Sequence, residues 1–344
     1  MDALDKDFEI LLDDYERVVA LESIGASIRH PTMQTVARRW VAHEYYNSSS
    51  ETNTGVRGAV DTIVGGAVNG VGKLSNILLD RMNAWLSAKE QNIRNKIKDV
   101  TSKATGLQKN IMVLEPKLRL LTTIANKQIE TGSWTSKLCV EDKVDIEACI
   151  SFSEKSTVLD DMAKSYTVFT SVLGRPKTRK GEEMNLRKLG RSTGWAINRS
   201  KGILGYVSLN QGLEAWPLPG NVIITLRGSG VGGQTLDFAV ARDGSYGEHI
   251  ESIDLDTANR AIKAAWRLTE ILKTRNVKRG VFSYTGIYEK IEELKASTNT
   301  EVDKAALRAA TKRIKNSLAV EDAITTAMVR VCEGLTKITR LSIS

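Results

Sequence analysis

The sequence predicts an α+β fold, predominantly helical, with a small antiparallel β-sheet in the middle of the C-terminal half. Three observations carry that expectation. Apolar residues recur at four-three spacing over long stretches on both sides of the middle of the chain, which is the pattern of helical faces. Between about residues 200 and 245, short β-rich runs alternate with Gly and Pro, as in hairpins. The 344 residues, 41% apolar and 26% charged, suffice for one large or two moderate domains with real cores.

Taken in order, Leu4, Phe8, Leu11, Tyr15 and Val18 fall on one stripe of an amphipathic helix. Residues 1–22 hold eight acids against Lys6 and Arg17, a net of −6, so the remaining chain carries +14 of the total +8. A short helix is expected after Pro31, through Val36 to Tyr45, and the polar run at 45–55, including NSSSETNTG, reads as a linker. Residues 56–173 read as a helical region. Leu74, Ile77, Leu78, Met82, Trp85, Ile93, Ile97 and Val100 form one face, and Leu107, Ile111, Leu114, Leu118, Leu121 and Ala125 another. Pro116 is expected to break or kink the second, so a helical hairpin or bundle is predicted between about 56 and 130. A short strand is expected from Trp134 to Val140, with helical spacing returning from Val144 to Leu173.

Composition then shifts. The 174–202 segment carries Arg175, Lys177, Arg179, Lys180, Arg187, Lys188, Arg191, Arg199 and Lys201 against Glu182 and Glu183, a net of +7. The last region, 203–344, is read as a small sheet followed by helices. Tyr206–Leu209, Val222–Leu226 and Leu236–Val240 are its expected strands. Helices resume near Asp256, and Ile324, Met328, Val331, Leu335 and Ile338 make the clearest C-terminal stripe.

Charge and cysteine usage narrow the function classes. A pI near 9.2 favours polyanionic partners. Cys139, Cys149 and Cys332 have no CxxC spacing and no nearby histidine, which argues for free thiols in a reducing compartment and against a zinc site. The N-terminal residues carry acid where a secretory signal carries base, and no stretch is long and apolar enough for a membrane span.

The motifs that invite a nucleotide-binding reading lose to their plainer alternatives. GAVNGVGKL places Ala67 where a phosphate loop requires its first Gly, and Leu74 where it requires the magnesium-binding hydroxyl, so a glycine-rich entry into a helix is expected. Gly228, Gly230 and Gly233 have GxGxxG spacing, but QTLDFAV follows and alternates like a strand. A hairpin loop is expected there rather than a dinucleotide turn. His30, His43 and His249 form no ligand spacing, and no nucleophile elbow is present, so no catalytic, cofactor or metal residue is assigned. Trp195, inside the basic segment, is placed to stack on a base. Trp85 and Trp266 lie on apolar stripes and read as core.

The acidic leader ends in Val19-Ala20-Leu21-Glu22-Ser23, with a more basic body after it. In this it resembles the internal head (inner body) proteins of giant tailed phages of the phiKZ type. Their propeptides are removed after a Glu with Ala, Ser or Gly two positions earlier. Ala20 and Glu22 fit that pattern before Ser23, and Ala42 and Glu44 fit it before Tyr45, so the propeptide is 1–22 or alternatively 1–44. KLCVEDKVDIEACISF, the PLPGNVII strand from Pro217 to Ile224 and the helices from Asp256 onward are similar in order to the family's body. The resemblance implies a structural virion protein without a cofactor or active site. It would be made in the host cytoplasm, matured by a capsid protease and held in the capsid interior beside other inner-head proteins. Its other partner would be the phage genomic DNA, with ejection alongside that DNA as a further fate. On grounds of charge alone, the nine basic residues of 174–202 suit non-specific phosphate contacts with nucleic acid. Cutting after Glu22 leaves a body of +14, and cutting after Glu44 leaves +12. A cytosolic sequence-independent nucleic-acid-binding protein and an enzyme with an unsigned active site are the alternatives.

Overall fold

The computed structural model describes residues 70–154, 207–209, 213–227, 235–240, 246–279, 292, 296 and 304–344. Over these residues the fold is α+β and predominantly helical, with small antiparallel sheets. The chain divides into two compact units. One comprises 1–92, 169–185 and 283–310, and the other 93–168, 186–282 and 311–344.

Helix α1 runs unbroken over Gly70–Arg119, where the sequence suggested a hairpin. The two apolar stripes join because both belong to one helix whose buried side drifts slowly around its axis. Pro116 lies in the closing turns, so its missing N–H costs only the bond to the Met112 carbonyl. With the helix over at Arg119, Leu121 and Ala125 leave the stripe, and Ala125 is exposed. The glycine-rich entry is as expected, with Gly70 as the first helical residue.

In the first unit, Leu79, Met82, Trp85 and Leu86 of α1 are buried, and Lys89 Nζ sits 5.7 Å from the centre of the Trp85 ring. Trp85 is thus a core residue with a cation over its face.

The second unit holds the main core. Ala104, Ile111, Leu114 and Leu118 of α1 pack with Ala258, Ala261, Ile262, Ala265, Leu268 and Leu272 of helix α3 (Leu255–Arg279). The expected stripe Ile324, Met328, Val331, Leu335 and Ile338 of helix α4 (Lys304–Ile343) is fully buried in the same cluster. Asp254 caps α3 by accepting the Thr257 N–H at 2.7 Å, and that bond lowers the pKa of its carboxyl. Asp145 caps the helical residues 146–154 (α2) by accepting the Ala148 N–H at 2.8 Å.

Between α1 and α2 the chain is more irregular than expected. Strand β1 is Gln128–Glu130, and the predicted strand from Trp134 to Val140 is instead a 3-10 turn, Thr135–Leu138, leading into the two-residue strand β2, Cys139–Val140. The segment does not alternate: Thr135, Ser136 and Lys137 are polar in succession and make most of the 3-10 turn, and the apolar run begins only at Leu138. Strand β3 (Lys143–Val144) returns on β2 through Glu141 and Asp142, both with positive φ, as a two-residue hairpin requires.

The predicted sheet is present as an antiparallel meander, β4 (Val207–Leu209), β5 (Leu213–Leu218), β6 (Val222–Arg227) and β7 (Thr235–Val240). Pro217 to Ile224, read as one strand, is a hairpin that turns at 219–221, with Leu218 opposite Val222. Pro217 stands opposite Ile223 of β6, one pair before the turn. β6 and β7 pair antiparallel with Arg227 opposite Thr235, so the TLDFAV that follows GxGxxG is a strand as expected, while Gly228, Gly230 and Gly233 themselves lie outside the described residues. Strand β8 (His249–Glu251) pairs with β1, Ile129 opposite Ile250. The edge from β8 to α3 is tied by two bonds: the Lys127 N–H donates to Ser252 Oγ at 3.0 Å, and the Ser252 N–H to the Lys127 carbonyl at 2.8 Å.

Cys139, Cys149 and Cys332 are free and buried, in accord with the sequence. Burial pushes the Cys332 thiol from 9.0 up to about 12, and burial with Asp145 and Cys139 alongside pushes Cys149 up too. The native chain therefore holds these protons more tightly than the unfolded chain. That contribution to stability is complete below about pH 9 and is lost as pH rises toward 12. Denaturation midpoints measured across that window should fall with a shallower slope in Cys332→Ala than in the wild type.

Two helical glycines make a matched test of packing. A Cβ on Gly334 of α4 would stand 2.9 Å from Leu138 Cδ2 and 3.1 Å from the Lys137 carbonyl carbon, whereas one on Gly106 of α1 meets nothing within 4 Å. Gly334→Ala is expected to destabilise by about 1–3 kcal/mol through overpacking, and Gly106→Ala to stabilise by about 0.5–1 kcal/mol. Urea midpoints of the two variants check both signs.

Candidate nucleic-acid interface

Ala20, Glu22, Ser23, Ala42, Glu44 and Tyr45 at the two cleavage motifs lie outside the described residues. So do Trp195 and Arg175, Lys177, Arg179, Lys180, Arg187, Lys188, Arg191, Arg199 and Lys201 of the basic segment. The described residues contain a second cationic region that sequence reasoning missed. Over 94–119, α1 carries seven Lys and Arg against Asp99 and Glu115, a net of +5.

Helical geometry sorts these charges. Ala104, Gln108, Ile111, Leu114 and Leu118 face inward, which turns Lys98, Lys109 and Lys117 outward and leaves Arg94 and Lys103 at the two margins of that face, and all five are exposed. At 3.6 residues per turn, Arg94, Lys98 and Lys109 fall within about 60° of one another around the axis, with Lys103 and Lys117 on one flank. From Arg94 to Lys117 the ridge is about 35 Å long at 1.5 Å per residue, close to one turn of duplex nucleic acid.

The acids are largely engaged elsewhere. Glu115 Oε1 accepts from Arg119 at 2.6 Å, and Asp322 of α4 accepts from Lys96 Nζ at 2.5 Å. Asp99 is the exposed acid among the outward lysines. Lys98, Lys103, Lys109 and Lys117 make no ion pair with a described residue.

The inward edge of the ridge is fixed by a buried polar link. Gln108 donates through Nε2 to Glu270 Oε1 of α3, and its Oε1 accepts from Lys273 Nζ. With the interior of α1 so committed, its outer face carries exposed cations above a packed core. Such a lattice suits phosphate contacts spaced along a backbone and carries no base-reading geometry. Among the described residues no cluster of His, Cys, Asp or Glu suits a metal ion, and no described helix is long and apolar enough to cross a membrane.

Comparison of the chain with family models, curated proteins and solved structures gives no match.

Replacing Lys98, Lys103, Lys109 and Lys117 by Ala should leave helix content intact and reduce the slope of log affinity against log salt on duplex DNA by up to about 0.9 per lost contact. The same assay on Arg175, Lys177, Arg179 and Lys180→Ser apportions binding between α1 and the 174–202 segment. A quadruple α1 variant with an unchanged slope would remove the ridge from the interface.

Proposed function

We propose that this chain is an internal head protein of a large tailed bacteriophage, a structural component of the virion interior that lies against genomic DNA without reading its sequence. The observation that carries the reading is the outward cationic ridge of α1, which adds to the +7 of residues 174–202 a second region suited to phosphate. Both belong to the part of the chain left after cleavage at either motif.

The acidic leader supplies the complementary half of the argument. Its −6 offsets the body while attached, and its release after Glu22 would raise the net charge from +8 to +14. A protein that must enter a forming capsid before DNA and then tolerate compaction beside it gains from being less cationic first and more cationic later. On this reading the partners are packaged DNA, capsid or other inner-head proteins, and a maturation protease acting at Ala20-Leu21-Glu22. Synthesis takes place in the host cytoplasm, and the role requires neither a cofactor nor catalysis.

Intact-mass and N-terminal peptide analysis of the protein from mature particles tests the proposal. A mature terminus at Ser23 is expected, or at Tyr45 if the second motif is used. Recovery of residues 1–22 in stoichiometric amount would overturn the maturation step. It would leave a cytosolic nucleic-acid-binding protein as the reading of the same cationic surfaces.

A further inference from the structure

Helix α3 buries Ala258, Ala261, Ile262, Ala264, Ala265, Leu268 and Leu272, yet its one tryptophan points outward: Trp266 is 37% exposed, against the expectation that it belongs to the core. Lys263, one turn before it, and Arg267, next to it, are also exposed, and neither enters an ion pair or hydrogen bond with a described residue. Of the other charges on this side of α3, Asp256 stands about two turns before Lys263, and the rest are occupied. Arg260 donates to both carboxylate oxygens of Glu147, at 2.9 and 2.5 Å, while Glu270 and Lys273 are bound to Gln108.

Helix α1 adds an apolar neighbour. The two helices run antiparallel, because Lys127, beyond the end of α1, is bonded to Ser252, ahead of α3, while Gln108 meets Glu270. Met112 lies four residues past Gln108 on α1, and Trp266 four residues before Glu270 on α3, so both stand about 6 Å from the Gln108–Glu270 link in the same direction. Met112 is 60% exposed. A part-exposed indole, a thioether at its level and two exposed cations within one turn thus share one surface.

We infer that Trp266, Lys263 and Arg267 form a stacking site for an unpaired nucleobase, with the two cations holding the flanking phosphates. The indole offers a π-face to any base, and the cations select an anionic strand. A second copy of this chain is disfavoured by the same charges. The site goes beyond the duplex contact proposed for α1, since bases stacked within a duplex do not present their faces to it.

The test uses the full chain with labelled oligothymidylate, oligouridylate and duplex DNA, read by fluorescence anisotropy at fixed salt. Trp266→Ala should weaken binding of the single strands about five- to a hundredfold while leaving duplex affinity unchanged, and Trp266→Phe should retain most of it. Lys263→Ala with Arg267→Ala should flatten the salt dependence on single strands by about 0.7 per lost contact. A photo-crosslink from a 5-iodouracil strand should map to the peptide holding Trp266, and the stronger of the DNA and RNA strands identifies the source of the nucleotide. Wild-type single-strand affinity in Trp266→Ala, equal losses on duplex and single strands, or a crosslink confined to other peptides would each overturn the inference. The α1 lysine variants judge the duplex reading separately.

Discussion

The clasp between Asn221 and Asp142 fixes where three parts of the second unit meet, because each of these residues sits in a turn that is strained on its own. Glu141, Asp142 and Asn221 all have positive φ, a conformation that costs a non-glycine residue about 1–2 kcal/mol. The two turns hold one another in it. The Asp142 N–H donates to Asn221 Oδ1 at 3.1 Å, Asn221 Nδ2 donates to Asp142 Oδ1 at 2.7 Å, and the Asn221 N–H donates to the Cys139 carbonyl at 2.8 Å. Gly220 completes the turn with φ +84, and its carbonyl accepts from Arg330 Nε of α4 at 2.6 Å. The same guanidinium donates to the buried Ser136 Oγ at 2.9 Å, and Lys137 pairs with Glu333 at 2.7 Å. One arginine therefore ties the β5–β6 hairpin and the 3-10 turn to the C-terminal helix, and Gly334 allows Leu138 to lie directly on that helix.

This clasp explains why the outer faces are free to differ from the core. Buried polar side chains are spent on holding the fold together: Thr336 and Thr339 bond carbonyls of their own helix, Ser342 accepts the Ile253 N–H, and Gln108 links α1 to α3. A core fixed by such directed bonds leaves the outer side of α1 to carry exposed lysines without disturbing the packing beneath. The cationic ridge is thus a consequence of the packing on its opposite side. The helix is held from below, so its upper face can be chosen for a partner.

Strong periodicity was what made the fold legible. Ile324, Met328, Val331, Leu335 and Ile338 could be read directly, since five residues at four-three spacing leave one answer. β6 and β7 were legible because Gly and Pro punctuate their ends. The β1–β8 pairing was not, since three-residue strands some 120 positions apart leave no local signal, and β5 was obscured by its own Pro217. The passage of α1 through Pro116 to Arg119 was not legible, because a proline past the first turn removes a helical bond wherever it stands and marks a break or a kink alike. The candidate interface was legible only in part. A run of nine cations at 174–202 is visible in composition, but five cations spread over 24 residues become a ridge only when wound on a helix whose other side is buried.

Trp266 shows the same limit from the opposite direction. Its four-residue spacing from Ile262 is ordinary for a core stripe, yet 100° per residue places it just past the edge that Ile262, Ala265 and Leu268 bury. Alanines at 258, 261, 264 and 265 decide the matter. Small residues let α3 approach its neighbours closely, and a helix packed that tightly has no room beneath it for an indole at its margin. The close packing that secures the core is therefore what leaves the aromatic ring and its two flanking cations at the surface.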